Sequence, residues 1–336
     1  MTRQAAAHIV VAITLALHGP LAVAAASPEP EIFAPGVISG PAKEDSAAFT
    51  PDGNAVYFDR SQWPNAFIMV SHREHGTWST PRIAPFSGQW LDHDPAMAPD
   101  GSFLVFASSR PSTEGGAPVK GAGNLWRVNR QGDGWSAPVR LPDTINSSPK
   151  TYAPSVAGDG SLYFQQTDEA TGEFHIFRSQ YREGGYAPPV RVALGDAGTH
   201  ELDPAIAPDE SFIVFDSNDP AKPGRDRLFI AFREGDHWGK PTDLGNAVNA
   251  AGSGPWGAHL GADHRTLYFS SDRTLPIAFP RSREQAEKDL ARMQAWDNGN
   301  ENLWSVSLAP WLDAHHGAWE PLNKSSLVVP AKAGTQ

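Results

Sequence analysis

A Pro-Asp-Gly turn set between two short apolar strands recurs along this chain, and that recurrence limits the possible folds more than any other feature. The fullest copy reads Asp94-Pro95-Ala96-Met97-Ala98-Pro99-Asp100-Gly101-Ser102-Phe103-Leu104-Val105-Phe106. Further copies lie at 47–58, 154–164, 204–215 and 258–269, with turn aspartates at Asp52, Asp100, Asp159, Asp209 and Asp263. A unit of roughly 50 residues holding about four strands is the sequence mark of a β-propeller blade. The expectation is an all-β chain that forms a single β-propeller of five four-stranded blades, with six as the alternative count.

Each copy predicts the same parts. Small residues such as Pro204-Ala205-Ile206-Ala207 suit a first strand at the crowded propeller axis. Proline presets φ in the turn, aspartate bonds its own backbone and glycine supplies a positive φ. Glycine or proline is lost in the later copies, but the aspartate stays in all five. The second strands, such as Leu104-Val105-Phe106 and Ile213-Val214-Phe215, are strongly β-forming. A third strand follows a variable loop. A fourth is announced by an aromatic three residues before a proline: Trp78 and Pro81, Trp135 and Pro138, Tyr186 and Pro189, Trp238 and Pro241. Proline is tolerated on an edge strand, and the aromatics are expected to pack between blades.

The fifth copy lacks such a pair. Its fourth strand is expected from the N-terminus, at 32–37, since a ring left open would expose an unpaired edge. Trp319-Glu320-Pro321 is the C-terminal alternative. The same copy carries an insert at about 280–297 that reads as a helix. Ser282 and Gln285 make a capping box, and Ala286, Leu290 and Met293 lie on one face. That helix either covers a blade edge or offers a lid or docking surface.

Residues 1–26 read as a secretory signal. Arg3 precedes an apolar run from Ala5 to Leu17, Gly19-Pro20 breaks it short of a membrane span, and Ala24-Ala25-Ala26 suits cleavage. The propeller is expected over 27–322 and a disordered tail over 323–336. The mature chain is then periplasmic or secreted, monomeric and without a membrane span. The absence of cysteine excludes disulfides, thiolate metal sites and cysteine nucleophiles. A formal charge of −11 disfavours nucleic acid. No Gly-x-Ser-x-Gly elbow and no glycine-rich phosphate loop is present.

The Pro-Asp-Gly turns at Pro51 and Pro99, their decayed copies at Gly158, Pro208 and Ala262, the Asp59-Arg60, Ser109-Arg110 and Asp272-Arg273 steps and the tryptophan-proline pairs resemble the PD-type, WD-like repeat of TolB-like propellers. The likeness runs from about Ile32 to Leu308. It implies a propeller fold and contacts with proteins or glycans of the bacterial envelope. The helical insert and the count of five repeats depart from the pattern.

Aligning the copies places Glu44, Asp92, Thr151 and Glu201 at one position. Ser46, Asp94, Ala153, Asp203 and Gly257 fall two residues later, with Asp45, His93, Tyr152, Leu202 and Trp256 between. Carboxylates, a histidine and two large aromatics are thereby expected at one rim of the channel, with His259 close by. The candidate ligand-binding set is Glu44, Asp45, Asp92, His93, Asp94, Tyr152, Glu201, Asp203, Trp256 and His259. Carboxylates suit a hard cation such as calcium, histidine widens the choice to transition metals, and aromatic faces suit a sugar. No other cofactor is expected. The competing reading is structural: acids that cap strands and pair with arginines.

The sequence therefore points to an exported, non-enzymatic binding or scaffolding module for a protein or glycan. The alternative is a carbohydrate-active enzyme using the rim acids.

Overall fold

The computed structural model describes residues 28–168, 171–195, 200–217 and 226–315. The strands form five small antiparallel sheets in a propeller arrangement. Blade 1 runs from its inner strand Lys43–Phe49 through Ala55–Gln62 to Asn65–Glu74. Blade 2 uses Asp92–Met97, Phe103–Ser108 and Leu125–Gln131, and blade 3 uses Thr151–Val156, Leu162–Thr167 and Phe174–Ser179. Blade 4 uses Glu201–Ile206, Phe212–Ser217 and Arg227–Glu234, and blade 5 uses Trp256–Leu260, Thr266–Ser271 and Asn302–Ser307. Five blades are present, not six.

The ring closes from the N-terminus. Glu31–Ile32 pairs antiparallel with the third strand of blade 5, Glu31 opposite Ser305 and Ile32 opposite Trp304. Phe33 then places its ring 5.0 Å from Tyr268 of blade 5 and 5.8 Å from Phe49 of blade 1. The C-terminal candidate at 319–321 and the segment 1–26 lie outside the described residues.

Outer strands differ in detail from the sequence reading. The aromatic-proline pair straddles a break. Thr77–Trp78 continues the far end of its neighbour as a hairpin, whereas Arg82–Ile83, beyond the proline, pairs farther back along the same strand. Blades 2 and 4 repeat this at Val139–Arg140 and Thr242–Asp243. Proline has no N–H to donate, so the edge strand is interrupted where it falls.

The core is divided among the blade interfaces. One apolar cluster joins Ala48, Tyr57 and Val70 of blade 1 to Leu104, Phe106 and Val128 of blade 2, and each later interface has its own. Middle strands are covered on both faces, which is why they read as unbroken apolar runs instead of alternating ones. The edge aromatics pack between blades as expected; Trp135 Nε1 donates to Tyr57 Oη at 2.9 Å. Arginines at or just beyond the ends of the second strands fasten blades 1, 2 and 5 to the links that enter them. Arg60 donates to Ile38 O at 2.9 Å, Arg110 to Phe86 O at 2.5 Å and Arg273 to Ala247 O at 3.1 Å.

One face of the ring carries the short turns at 50–54, 98–102, 157–161, 207–211 and 261–265. The long connections 109–124 and 272–301 lie on the other face. The helix Arg283–Ala295 sits in the second of these, and Ser282 Oγ caps it by accepting from Gln285 N at 3.1 Å.

Candidate functional site

Every inner strand is bulged at the same place. The register shifts between Asp45 and Ala48, His93 and Ala96, Tyr152 and Ser155, Leu202 and Ala205, and Trp256 and His259. Within each bulge one residue has a positive φ: Ser46 at 56°, Asp94 at 51°, Ala153 at 46°, Asp203 at 45° and Gly257 at 66°. Only the last is glycine, so four side chains are held in a conformation that costs about 1 kcal/mol each. A bulge re-aims side chains. Here it turns neighbouring blades toward one another across the axis. Ala153 N donates to Asp94 Oδ2 at 2.9 Å, and Asp203 N donates to Gln165 Oε1 at 3.0 Å. The backbone of Gly257 also lies close enough to the Asp203 carboxylate to favour its ionised form.

The ten candidates separate into two sets. Glu44, Asp92 and Glu201 are fully buried and engaged in the scaffold. Glu44 accepts from Gly40 N and Arg60 Nε, both at 2.8 Å. Asp92 takes Ser87 Oγ at 2.9 Å, Ser108 Oγ at 2.7 Å and the Arg110 guanidinium. Glu201 lies 2.7 Å from His175 Nδ1 and 3.6 Å from Arg191. These acids hold the arginine clamps and interblade contacts, as the structural reading expects.

Asp45, His93, Asp94, Asp203 and His259 converge on the axis. Tyr152 flanks them, its ring centroid 5.8 Å from that of His93, and Trp256 begins the inner strand of blade 5 half-buried. Two further acids join from the second strands. Asp59 pairs with Asp45 in blade 1 and Asp216 with Asp203 in blade 4 through side-chain hydrogen bonds, so each pair holds a proton between its carboxyls. Burial, and then the negative charge of Asp94, push Asp45 and Asp203 up to about 7. Asp59 and Asp216 are raised well above the usual carboxylate range, first by burial and then by their partner acids.

Asp94 behaves in the opposite way. Burial opposes its ionisation, but His93, the Ala153 N–H and His259 together hold it below the ordinary value. Burial alone would lower His93; Asp94, with Asp45 and Asp92, raises it instead. Its Nδ1 stands 3.1 Å from Asp94 Oδ2. His259 is lowered by burial, and its Nδ1 lies 3.2 Å from Gly257 O. His259 also reaches the opposite mouth, a small funnel lined by Ala48, Met97, Val156, Ile206 and Leu260.

Asp59, Gln165 and Asp216 fall outside the candidates drawn from the sequence. They occupy the position just after the phenylalanine of the second strand, which reads Asp59, Ala107, Gln165, Asp216 and Ser270 around the ring. A middle strand buried on both faces calls for apolar residues there. Four polar residues in five copies are the signal that the position faces the channel.

The blade 5 insert is anchored beside this mouth. Asn298 and Asn300 donate to Pro41 O at 3.0 and 2.8 Å, and Lys43 pairs with Glu301 at 2.5 Å. Its helix is inverted. Asp289 is 8 % exposed and bonded to Arg281 and Gln285, whereas Leu290 and Met293 are 49 % and 51 % exposed. The apolar face faces solvent and does not cover a blade edge. Phe279 in the same insert is 75 % exposed, and Ile277 and Trp63 are also open on this side of the ring.

No family model and no curated protein matches the sequence. Solved structures with a related shape include the putative TolB from Agrobacterium tumefaciens, 13 % identical, with a TM-score of 0.46 over 80 % of this chain and 91 % of that one. An α-L-arabinofuranosidase from Lactobacillus brevis is 11 % identical, with a TM-score of 0.49 over 79 % and 90 %. A GH43_12 protein from a capybara gut metagenome is 13 % identical, with a TM-score of 0.49 over 83 % of this chain and 53 % of its own.

Proposed function

We propose that this protein is an exported binding module that engages a partner protein of the cell envelope on the face bearing the polar mouth and the helical insert. The observation that carries the reading is the inverted helix. A helix that buries Asp289 and presents Leu290 and Met293 to solvent is arranged for something that covers it. Trp63, Ile277 and Phe279 enlarge the apolar area on the same side, next to the carboxylates of the channel. Anchoring through Asn298, Asn300 and Trp296 fixes the surface before binding, which lowers the ordering cost of association. The signal-like segment at 1–26 supports export, and no described helix is long and apolar enough to cross a membrane. Capture of a partner from envelope extract, compared between wild type and the double variant Leu290→Asp, Met293→Asp, tests this assignment.

A second reading, a carbohydrate-active enzyme, draws on Asp45 and Asp203, whose raised pKa values suit a general acid near neutral pH. Both are hydrogen-bonded directly to another carboxyl, which leaves no room for a glycosidic bond within either pair. Turnover of an oligosaccharide panel, lost in Asp45→Asn or Asp203→Asn, would favour the enzyme.

A further inference from the structure

We infer that Asp59, His93 and Asp94 form a binding site for one transition-metal dication, of the manganese or zinc class, in the throat of the channel. The inference goes beyond the docking surface and stands without it. Three observations carry it.

The first is geometric. Ligand atoms of the three side chains, one from blade 1 and two from blade 2, all lie within 4.8 Å of one another. Donors held at ~2.0–2.2 Å from a single ion are at most ~4.4 Å apart, so the preformed spacing needs only small rotations to close on a metal.

The second concerns unmet bonding capacity. Asp59 is 4 % exposed and no N–H or hydroxyl donor reaches its Oδ1, so the proton it shares with Asp45 is all that an ion would displace there. His93 Nε2 is buried and equally unpartnered. Interiors rarely leave such atoms unsatisfied, and an ion is one of the standard explanations. The remaining contacts orient the site. Asp94 Oδ2 is held by Ala153 N and faces His93 Nδ1, whereas Asp94 Oδ1 has only Ser46 Oγ, at 3.4 Å. An ion held by both residues would take the place of the proton between His93 Nδ1 and Asp94, so binding should release that proton.

The third is the kind of donor. Two carboxylate oxygens and an imidazole suit manganese, iron or zinc, whereas calcium and magnesium take oxygen ligands. The cation would also lie beside Asp45, whose carboxyl interacts with Asp59, His93 and Asp94.

The test uses the protein from Ser27 onward, stripped with chelator and titrated with Mn²⁺, Zn²⁺ and Ca²⁺ by calorimetry. The expected result is one equivalent of Mn²⁺ or Zn²⁺ bound more tightly than Ca²⁺. Asp59→Asn and His93→Gln should each weaken binding by at least about tenfold, while Asp100→Asn in an exposed turn should leave it unchanged. Failure of both ions to bind at millimolar concentration overturns the site, as does binding that both variants retain. Should the variants not fold, pulsed electron paramagnetic resonance of Mn²⁺ on the unaltered protein decides. Coupling to one imidazole nitrogen is expected, and its absence overturns the assignment.

Discussion

The carboxylate of Asp94 in blade 2 accepts a hydrogen bond from the backbone N–H of Ala153 in blade 3, at 2.9 Å. Both residues sit at the positive-φ position of their bulges, so one blade's strained backbone is satisfied by its neighbour's side chain. Asp94→Ala removes that bond and leaves the His93 ring without its carboxylate partner. Chemical denaturation should show a loss of about 3–5 kcal/mol. A loss under about 1 kcal/mol would mean that the relay around the axis contributes little.

Closure from the N-terminus predicts an outsized role for one side chain far from the channel. Phe33 packs on Phe49, Trp78 and Tyr268, joining blades 1 and 5. Phe33→Ala should cost about 2–4 kcal/mol, and deleting 28–33 should cause loss of cooperative unfolding as the edge strand Asn302–Ser307 is exposed. Unchanged melting after the deletion would place the closure elsewhere.

Ionisation of the channel acids gives the protein a specific pH signature. Asp203 is raised from 3.8 to about 7 in the fold, so the folded state binds more protons than the unfolded state between these values. Its contribution to stability therefore falls as pH rises from about 4 to about 7 and then levels off. Asp203→Asn removes that slope. The variant should gain on wild type by up to about 4 kcal/mol between pH 4 and pH 8, measured by urea melts at each pH. A difference independent of pH would contradict the shared-proton arrangement with Asp216.

The inverted helix makes an unusual prediction about its leucine and methionine. In a helix packed by its apolar face, Leu290→Asp or Met293→Asp would be severely destabilising. Here both side chains point to solvent, so thermal unfolding of the double variant should stay within about 0.5 kcal/mol of wild type. A large loss would show that the apolar face is packed inward.

Repetition made the fold legible. Five copies of one strand-turn-strand unit specify blades, and the two-sided burial of their middle strands is written as runs such as Val56-Tyr57-Phe58. The site was legible only in part. Asp45, Asp94 and Asp203 were found by alignment, but so were Glu44, Asp92 and Glu201, which look the same in sequence and serve arginine clamps or interblade pairs. The bulge decides which acid reaches the axis, and it is a backbone feature that non-glycine residues carry without a sequence mark. Asp59 and Asp216 were hidden for another reason. Each follows a strand phenylalanine and reads as the polar end of a strand until the ring is closed around it. The helix was legible in its extent and cap, but not in its orientation. That depends on Arg281 and Arg292 holding Asp289 inward, with Arg292 itself bonded to Asp297.

The central claim is that the insert-bearing face is the binding surface, and differential capture addresses it most directly. Wild type, the Leu290→Asp, Met293→Asp variant and an edge-strand control, Val190→Asp, would be immobilised and exposed to the same envelope extract, with bound proteins quantified by mass spectrometry. The account predicts a partner retained by wild type and the Val190→Asp control and lost from the insert variant. The same bound proteins at the same levels on all three would contradict it.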